Sequence, residues 1–299
     1  MKRRYVLGPV PSVDQVMLEK RAAVLGTRSI KAGAKKTALE LILRSIDLTT
    51  LEGMDTPESV RALCGKARQP DPESDAPPVA AVCVYPTLVG AARVALAGSS
   101  VKVAAVAAAF PSAQSFLEIR LEEIRRAVEA GADEIDMVMS RQAFLIGDHA
   151  RVHDEIAAAK EAAGDAHLKA ILEVGELGSY DQIRKASQIA LDAGADTIKT
   201  STGKISPAAT PAACLVMLEA IRDHYLATGR AAGLKAAGGI RTAKQAWHYL
   251  VLVKETVGDR WLTPERFRIG ASALLDDVLR QRRRLMTGRY ETLLGFGGA

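Results

Sequence analysis

Residues 130–136 read AGADEID and residues 193–199 read AGADTIK, two copies of one local pattern. Each copy follows a segment of helical periodicity and leads into a short apolar run. The glycine of each copy, Gly131 or Gly194, lies where the end of a helix favours a residue that can adopt a left-handed conformation. Both copies are therefore predicted to be turns from a helix into a β-strand.

The alternation of a short apolar run with an amphipathic stretch continues on both sides of this pattern, from about residue 38 onward. It is typical of parallel strands joined by crossover helices. Eight strands are predicted, within residues 45–51, 79–85, 101–110, 134–139, 168–174, 197–202, 233–237 and 267–271. Eight β/α units spread over about 250 residues predict an α/β protein with a (β/α)8 TIM barrel. An open doubly wound sheet is the less favoured alternative.

Length and composition fit this architecture. The chain has 299 residues, of which 48% are hydrophobic, 25% charged and only 4% aromatic. This usage excludes intrinsic disorder and collagen-like structure, and small aliphatic side chains suit helices packed on buried strands. We predict a basic N-terminal helical extension at residues 1–38, a single barrel domain at 39–280 and a short C-terminal tail at 281–299. The tail contains Tyr290, to which no catalytic role is assigned.

Most of the positive charge lies near the N-terminus. Residues 1–39 contain nine Lys and Arg against two Asp and Glu, so the remainder of the chain carries 31 basic and 33 acidic residues. A basic arm could contact nucleic acid or an acidic partner. The preferred interpretation is a solvated helix and linker, and the chain contains no recognisable nucleic-acid motif. No nucleic-acid partner is predicted.

The sequence gives no sign of disulfides, metal or membrane. Three cysteines, Cys64, Cys83 and Cys214, are irregularly spaced, and His149 and His153 lack a third ligand for zinc. No apolar run reaches the roughly 18 residues of a membrane span, and no signal peptide begins the chain. We expect a cytoplasmic protein with no metal and no membrane partner.

Two residues of the repeated pattern predict chemistry inside the barrel. Counted from the glycine of each copy, Asp136 and Lys199 have the same register. Strands four and six are both even-numbered, so their inward side chains should fall in one layer. An acid and an amine are thus expected to face each other, either as a reactive pair or as a structural ion pair.

Two further lysines are expected near Lys199: Lys235 towards the end of strand seven and Lys204 just beyond strand six. A free lysine has a pKa of about 10.4, and lowering it to near 7 requires roughly 4 to 5 kcal/mol. Burial and neighbouring cations supply such a shift, which favours imine formation with a carbonyl. Asp136 could then accept and return protons. The alternative is that all three lysines bind phosphate.

Small residues follow the last two predicted strands. Gly238 and Gly239 end strand seven, while Gly270 and Ser272 end strand eight. The loops after strands seven and eight of such barrels frequently bind phosphate through backbone N–H groups. A phosphorylated substrate is therefore predicted.

The chain resembles the deoxyribose-phosphate aldolase family over about residues 44 to 280. The family's motifs have their counterparts, in order, in DLTTL (47–51), CVYP (83–86), EID (134–136), EVGEL (173–177), IKTSTGK (198–204), KAAGGIR (235–241) and GAS (270–272). The resemblance implies a (β/α)8 barrel and a class I aldolase of deoxyribose phosphate catabolism that needs no cofactor. Such an enzyme cleaves 2-deoxy-D-ribose 5-phosphate reversibly to D-glyceraldehyde 3-phosphate and acetaldehyde.

Residue roles follow from the same motifs. The resemblance implies that Lys199 forms the Schiff base, that Lys235 lowers the pKa of Lys199 and assists proton transfer, and that Asp136 works with water in a proton relay. It also implies a set of substrate contacts: Lys204, Gly203, Gly238, Gly239 and Ser272 around the phosphate, and Asp47 and Thr49 near the sugar hydroxyls.

Some assignments stay open at this stage. Arg241 and Arg268 are expected either to supplement the phosphate site or to be exposed charges. The implied partners are phosphosugar and aldehyde substrates, and a homo-oligomer is compatible with the sequence. Two other interpretations remain: a Schiff-base aldolase with a different acceptor, and a barrel that binds phosphosugars without turnover.

Overall fold

Eight parallel strands form a closed barrel in the computed structural model, which describes residues 4–30 and 32–288. Neighbouring strands pair in chain order, and the first strand pairs with the eighth. The strands are β1 Ile46–Thr49, β2 Ala81–Val84, β3 Lys102–Ala107, β4 Glu134–Val138, β5 His167–Ile171, β6 Thr197–Lys199, β7 Gly233–Ala237 and β8 Phe267–Ala271. The predicted (β/α)8 barrel is confirmed, and the doubly wound alternative is wrong.

Most strands are shorter than the apolar runs that predict them, and β3 and β6 show the physical reason. β3 stops at Ala107 because Ala108 and Ala109 adopt left-handed φ angles of 64° and 57°. β6 stops at Lys199, after which the hydroxyls of Thr200 and Ser201 donate hydrogen bonds to the carbonyl oxygen of Ala237. Polar side chains thus replace the strand ladder at the carboxyl end of the barrel.

The helices surround the barrel, and several of them begin at side-chain caps. Their bounds are α1 Gln15–Gly26, α2 Ala32–Ser45, α3 Pro57–Arg68, α4 Val89–Ala95, α5 Leu117–Glu129, α6 Arg141–Leu145, α7 His149–Ala163, α8 Tyr180–Asp192, α9 Pro211–Thr228, α10 Ala243–Val257 and α11 Leu274–Thr287. Thr210 caps α9, and Thr242 forms a capping box with Gln245 at α10. Gly131 and Gly194 have φ angles of 105° and 99°, as the repeated pattern predicts for turns into β4 and β6.

The N-terminal segment is docked on the outer helices. Leu18 and Ala22 of α1 are buried in the hydrophobic core. A guanidinium nitrogen of Arg21 lies 2.5 Å from Glu219, and one of Arg28 lies 2.5 Å from Glu255. The predicted helix is thus present and most of its residues are exposed, while Leu18 and Ala22 pack against the outer helices and Arg21 contacts an acid of the same chain.

The predicted division of the chain remains a prediction. Helix α2 begins before residue 38 and helix α11 ends after residue 280, so each helix crosses a predicted limit. Tyr290 lies outside the described residues. Among the helices within residues 4–30 and 32–288, none has the length and apolar character needed to cross a membrane.

Candidate active site

A cavity of about 460 Å³ opens at the carboxyl ends of the strands. This is the mouth at which (β/α)8 barrels bind their substrates. Most of the site residues predicted from the sequence line its wall, namely Thr49, Lys199, Gly203, Lys204, Gly238, Gly239 and Ser272. The remaining three, Asp47, Asp136 and Lys235, are buried beneath this wall.

Lys199 faces Asp136 as the repeated pattern predicts. It is the last residue of β6, and its side chain is almost fully buried. Its Nζ donates a hydrogen bond of 2.7 Å to Asp136 Oδ2. Lys199 also lines the cavity, so this nearly buried residue borders the space that a ligand would occupy.

Lys235 lies beside Lys199 and contacts the same acid. The two lysines are register partners on β6 and β7. Lys235 Nζ lies 2.7 Å from Asp136 Oδ2 and 2.5 Å from Asp47 Oδ2. The structure thus brings the two predicted active-site lysines to one carboxylate.

A third lysine, Lys169, joins this cluster and was not predicted. It is the register partner of Asp136 on β5. Its Nζ lies 2.6 Å from Asp136 Oδ1 and 2.6 Å from Glu134 Oε2. A charged residue inside the apolar run HLKAI, at residues 167–171, is the sequence signal that could have revealed it.

Asp47 and Arg268 depart from their expected positions. Arg268 is neither exposed nor at the phosphate end: it is buried on β8, with one nitrogen 2.6 Å from Asp47 Oδ1 and another 2.6 Å from Glu134 Oε1. Asp47 is fully buried and its carboxylate contacts Arg268 and Lys235. Its position gives no support to a contact with sugar hydroxyls.

The environment separates the lysines by their affinity for protons. Burial, together with the charge of Lys235, lowers the pKa of Lys199 despite the opposing attraction of Asp136. Burial also acts to lower the pKa values of Lys169 and Lys235, but nearby carboxylates outweigh it and raise both. Lys199 is therefore the amine of this cluster that loses its proton most easily.

Asp136 remains ionised. Burial acts to raise the pKa of its carboxyl group, but the three surrounding ammonium groups hold this pKa well below its ordinary value. A carboxylate of this kind can position an amine or exchange a proton through water, but it does not store a proton at neutral pH.

The glycines in the cavity wall permit close approach of a ligand to the backbone. Gly203, Gly238 and Gly239 have φ angles of 81°, 87° and 83°. A Cβ added at Gly238 would lie 2.5 Å from the Cβ of Ala208, so a side chain does not fit there. Lys204 stands at the rim, where its Nζ donates a 2.7 Å hydrogen bond to the carbonyl oxygen of Leu51.

Glu173, which has no predicted role, organises the loop that carries Gly203 and Lys204. It is fully buried, and its Oε2 accepts a 2.6 Å hydrogen bond from the hydroxyl of Thr202. The Thr202 hydroxyl in turn accepts a 3.1 Å bond from the backbone N–H of Lys204. A nitrogen of Arg141 lies 3.6 Å from Glu173. The acid therefore connects the loops that follow β4, β5 and β6.

The geometry combines a reactive amine with a polar cavity. Lys199 can attack a carbonyl carbon that enters the cavity, since its pKa is lowered and its amine is accessible. The glycine loops and Lys204 line the same cavity and can receive an anionic group there. A carbonyl compound that carries a phosphate fits both halves.

Comparisons with known proteins agree on one family. The model of the DeoC/LacD family aldolases matches residues 41–278. Deoxyribose-phosphate aldolases of Mus musculus and Homo sapiens are 48% and 47% identical over 285 residues, which cover 92% of this chain and 90% of each relative. A solved structure, titled as a unique tetrameric structure of deoxyribose phosphate aldolase from Aeropyrum pernix, has 26% identity and a TM-score of 0.64. That alignment covers 90% of this chain and 99% of the other.

Proposed function

The chain belongs to the DeoC/LacD aldolases and is a carbon–carbon lyase of the deoxyribose-phosphate aldolase family, and we propose that it works through a Schiff base on Lys199. The proposed reaction is the reversible cleavage of 2-deoxy-D-ribose 5-phosphate to D-glyceraldehyde 3-phosphate and acetaldehyde. It uses neither a metal nor an organic cofactor.

One observation carries this proposal. Lys199 is the member of the buried lysine cluster that also lines the cavity, and its pKa is lowered by burial and by Lys235. Lys169 and Lys235 have raised pKa values and are absent from the cavity wall. A nucleophilic amine must be both uncharged and accessible, and Lys199 best meets both conditions.

The first half of the reaction forms the iminium ion. The uncharged amine of Lys199 attacks C1 of the open-chain sugar, a C–N bond forms, and one N–H proton moves to the carbonyl oxygen. A second proton, delivered through water from protonated Lys235, lets this oxygen leave as water. The iminium carbon then withdraws electrons from the C2–C3 bond. Asp136 lies 2.7 Å from Lys199 Nζ and, as a carboxylate, stabilises the positive charge that forms there.

The second half breaks the carbon–carbon bond. The C3 hydroxyl gives its proton to water held by the Asp136 carboxylate, and this water passes the proton into the relay. The C2–C3 electron pair then moves into the iminium system, and glyceraldehyde 3-phosphate leaves. Lys235, whose raised pKa keeps it protonated, returns a proton through the relay to C2 of the enamine. Hydrolysis of the new iminium releases acetaldehyde and restores Lys199.

The proposed phosphate site is the part of the cavity wall that the glycine loops form. Gly203, Gly238, Gly239 and Ser272 offer backbone or hydroxyl donors, and Lys204 supplies a cation at the rim. Arg241 also lines this wall and is the arginine that could supplement the site. Thr49 lines the wall nearest β1 and is proposed to face the sugar hydroxyls.

We extend the proposal to the cellular setting. The reaction belongs to the breakdown of deoxyribose phosphates, which we assign to the cytoplasm. The tetrameric structure of the deoxyribose phosphate aldolase from Aeropyrum pernix supports a homo-oligomer of this chain as well.

The decisive experiment is borohydride trapping with acetaldehyde, followed by peptide mass mapping. We expect one dominant ethyl adduct, on Lys199, because the other buried lysines stay charged. Lys199→Ala should lose the adduct and nearly all cleavage of deoxyribose 5-phosphate, and Lys235→Leu should lose nearly all turnover. The control is Lys254→Ala, an exposed lysine on α10, which should retain both.

Other outcomes would support the rival functions. Diffuse labelling of surface lysines, with phosphosugar binding unaffected by Lys199→Ala, would indicate a barrel that binds without turnover. A single adduct on Lys199 with no cleavage of deoxyribose 5-phosphate would indicate an aldolase that uses another acceptor.

A further inference from the structure

Seven ionisable side chains are buried together inside the barrel. Three of them are acids, namely Asp47, Glu134 and Asp136. The other four are bases, namely Lys169, Lys199, Lys235 and Arg268. With every group charged, the cluster has a net charge of +1. A buried charge without a partner is strongly unfavourable, so one base of the cluster should be uncharged. Arginine does not lose its proton in proteins, and one lysine must therefore do so.

The sharing of carboxylates determines which lysine this is. Lys235 contacts Asp47 and Asp136, and Lys169 contacts Glu134 and Asp136. Lys199 contacts Asp136, its one carboxylate partner among the described residues, and shares it with both other lysines. Lys199 is consequently the base whose positive charge is least neutralised by carboxylates.

Arg268 creates this shortage from the opposite end of the barrel. It is the second residue of β8 and, with Glu134 and His167, borders a cavity at the amino ends of the strands. Its guanidinium contacts both Asp47 and Glu134 at 2.6 Å. Without Arg268, Asp47 could neutralise Lys235 and Glu134 could neutralise Lys169. Because Arg268 shares both acids, each of these lysines also needs the negative charge of Asp136.

We propose that Arg268 is a positioning residue that keeps Lys199 uncharged: by occupying Asp47 and Glu134, it makes Lys169 and Lys235 compete with Lys199 for Asp136. This inference rests on the proposed function, because it explains how Lys199 becomes a nucleophile. It assigns Arg268 no contact with substrate.

The charged and titratable groups around Lys199 come from all sides of the barrel. Besides the seven clustered side chains, on β1, β4, β5, β6, β7 and β8, these are Cys83 of β2, His167 at the start of β5 and Lys204 at the rim. Burial raises the pKa of Cys83 and lowers that of His167, so both are neutral near pH 7. Lys102 is the first residue of β3 and is exposed. The balance inside the barrel is thus set by the seven clustered groups.

The test measures how readily Lys199 reacts as pH changes. Acetaldehyde and cyanoborohydride are added from pH 5 to 9: the amine and the aldehyde form an imine with loss of water, and hydride reduces it to the ethylated amine. The rate of ethylation at Lys199, followed by peptide mass, has a half-point set by its protonation. Arg268→Met should move this half-point up by about one pH unit or more, because Lys199 then gains a share of carboxylate.

The companion variants make opposite predictions. Glu134→Gln removes an acid, so the half-point should move down. Combining it with Arg268→Met should bring the half-point back towards that of the unsubstituted protein, and Arg268→Lys, which keeps the charge, should leave it nearly unchanged. If Arg268 had a purely structural role, Arg268→Met would lower stability. The half-point would then not rise in Arg268→Met and fall in Glu134→Gln.

Each result decides the question. Shifts of opposite sign support the proposal, whereas unchanged half-points or shifts of one sign overturn it. Should Arg268→Met fail to fold, Glu134→Gln decides alone, since a half-point that stays or rises overturns the proposal. Absence of any adduct on Lys199 in the unsubstituted protein would instead refute the proposed function itself.

Discussion

Lys199 and Lys169 are buried lysines that contact the same carboxylate, Asp136, yet their pKa values shift in opposite directions. Burial lowers both pKa values, but Glu134 and Asp136 together raise that of Lys169, while that of Lys199 remains below its ordinary value. A lysine whose folded pKa exceeds the unfolded value of about 10.4 stabilises the protein below that pH. A lysine whose folded pKa is lowered destabilises it there. The proposed nucleophile is thus a stability cost at neutral pH, and its neighbour is not.

This difference predicts unequal effects of one substitution at the two positions. Lys169→Met leaves two buried carboxylates short of a cation and should reduce the free energy of unfolding by about 3 kcal/mol at pH 7. Lys199→Met removes the amine that the cluster keeps uncharged and should change the free energy of unfolding by less than about 1 kcal/mol. Urea unfolding of both variants measures this, and equal losses would contradict the assignment of charges.

The loop between β6 and α9 shows how an element is held for function. Glu173 adopts a left-handed conformation with φ of 56° at the end of β5, and this buried acid accepts hydrogen bonds from both the hydroxyl and the backbone N–H of Thr202. Arg141 lies near its carboxylate. The position of Gly203 and Lys204 therefore depends on an acid in the loop that follows β5.

Loss of the Glu173 side chain is expected to affect the phosphorylated substrate more than the unphosphorylated one. Glu173→Ala should raise KM for deoxyribose 5-phosphate about tenfold, since it leaves buried polar groups of Thr202 without a partner. Cleavage of unphosphorylated deoxyribose should change little, because Lys199 and Asp136 are not displaced. Steady-state kinetics with the two sugars separate these effects.

The chain offers a matched control for this loop. Glu176 also contacts Arg141, at 2.9 Å, but is more exposed and makes no contact with Thr202. Glu176→Ala should leave both KM values near those of the unsubstituted enzyme. Equal losses with both sugars in Glu173→Ala would show that the acid supports the whole site and not the phosphate side alone.

On the scale of the whole molecule, the N-terminal helix is part of the barrel's outer layer. Helix α1 packs against α9 and α10, with Leu18 and Ala22 buried and Arg21 half exposed beside Glu219. Burial of apolar surface contributes more to stability than exposed ion pairs do. The helix is thus expected to be held by its apolar face, although its sequence is most conspicuous for its charge.

Two substitutions in α1 separate these contributions. Leu18→Ala should lower the free energy of unfolding by about 2 kcal/mol or more, whereas Arg21→Ala should lower it by less than about 1 kcal/mol. Both variants should keep their aldolase activity, because α1 lies outside the barrel. Urea unfolding at low and high salt measures the difference, and a larger loss in Arg21→Ala would show that charge docks the helix.

Much of the fold and the centre of the site could be predicted from local patterns. Strand count and order follow from apolar runs, and the juxtaposition of Asp136 and Lys199 follows from the register of a repeated turn. Lys169 could have been found by the same reasoning, because a lysine within an apolar strand needs a buried acid. Lys169 lies in the middle of β5, away from the strand ends at which substrates bind.

The sequence by itself determined the barrel, the layer that holds acid and amine, and the loops that border the cavity, because each depends on spacing within one or two β/α units. Only the tertiary structure decided that Arg268 is buried and that Asp47 contacts Lys235 and not the cavity. These facts depend on how closure of the barrel brings β8 against β1 and across from β4. No local pattern encodes that geometry, and the distribution of charge over the lysines follows from it.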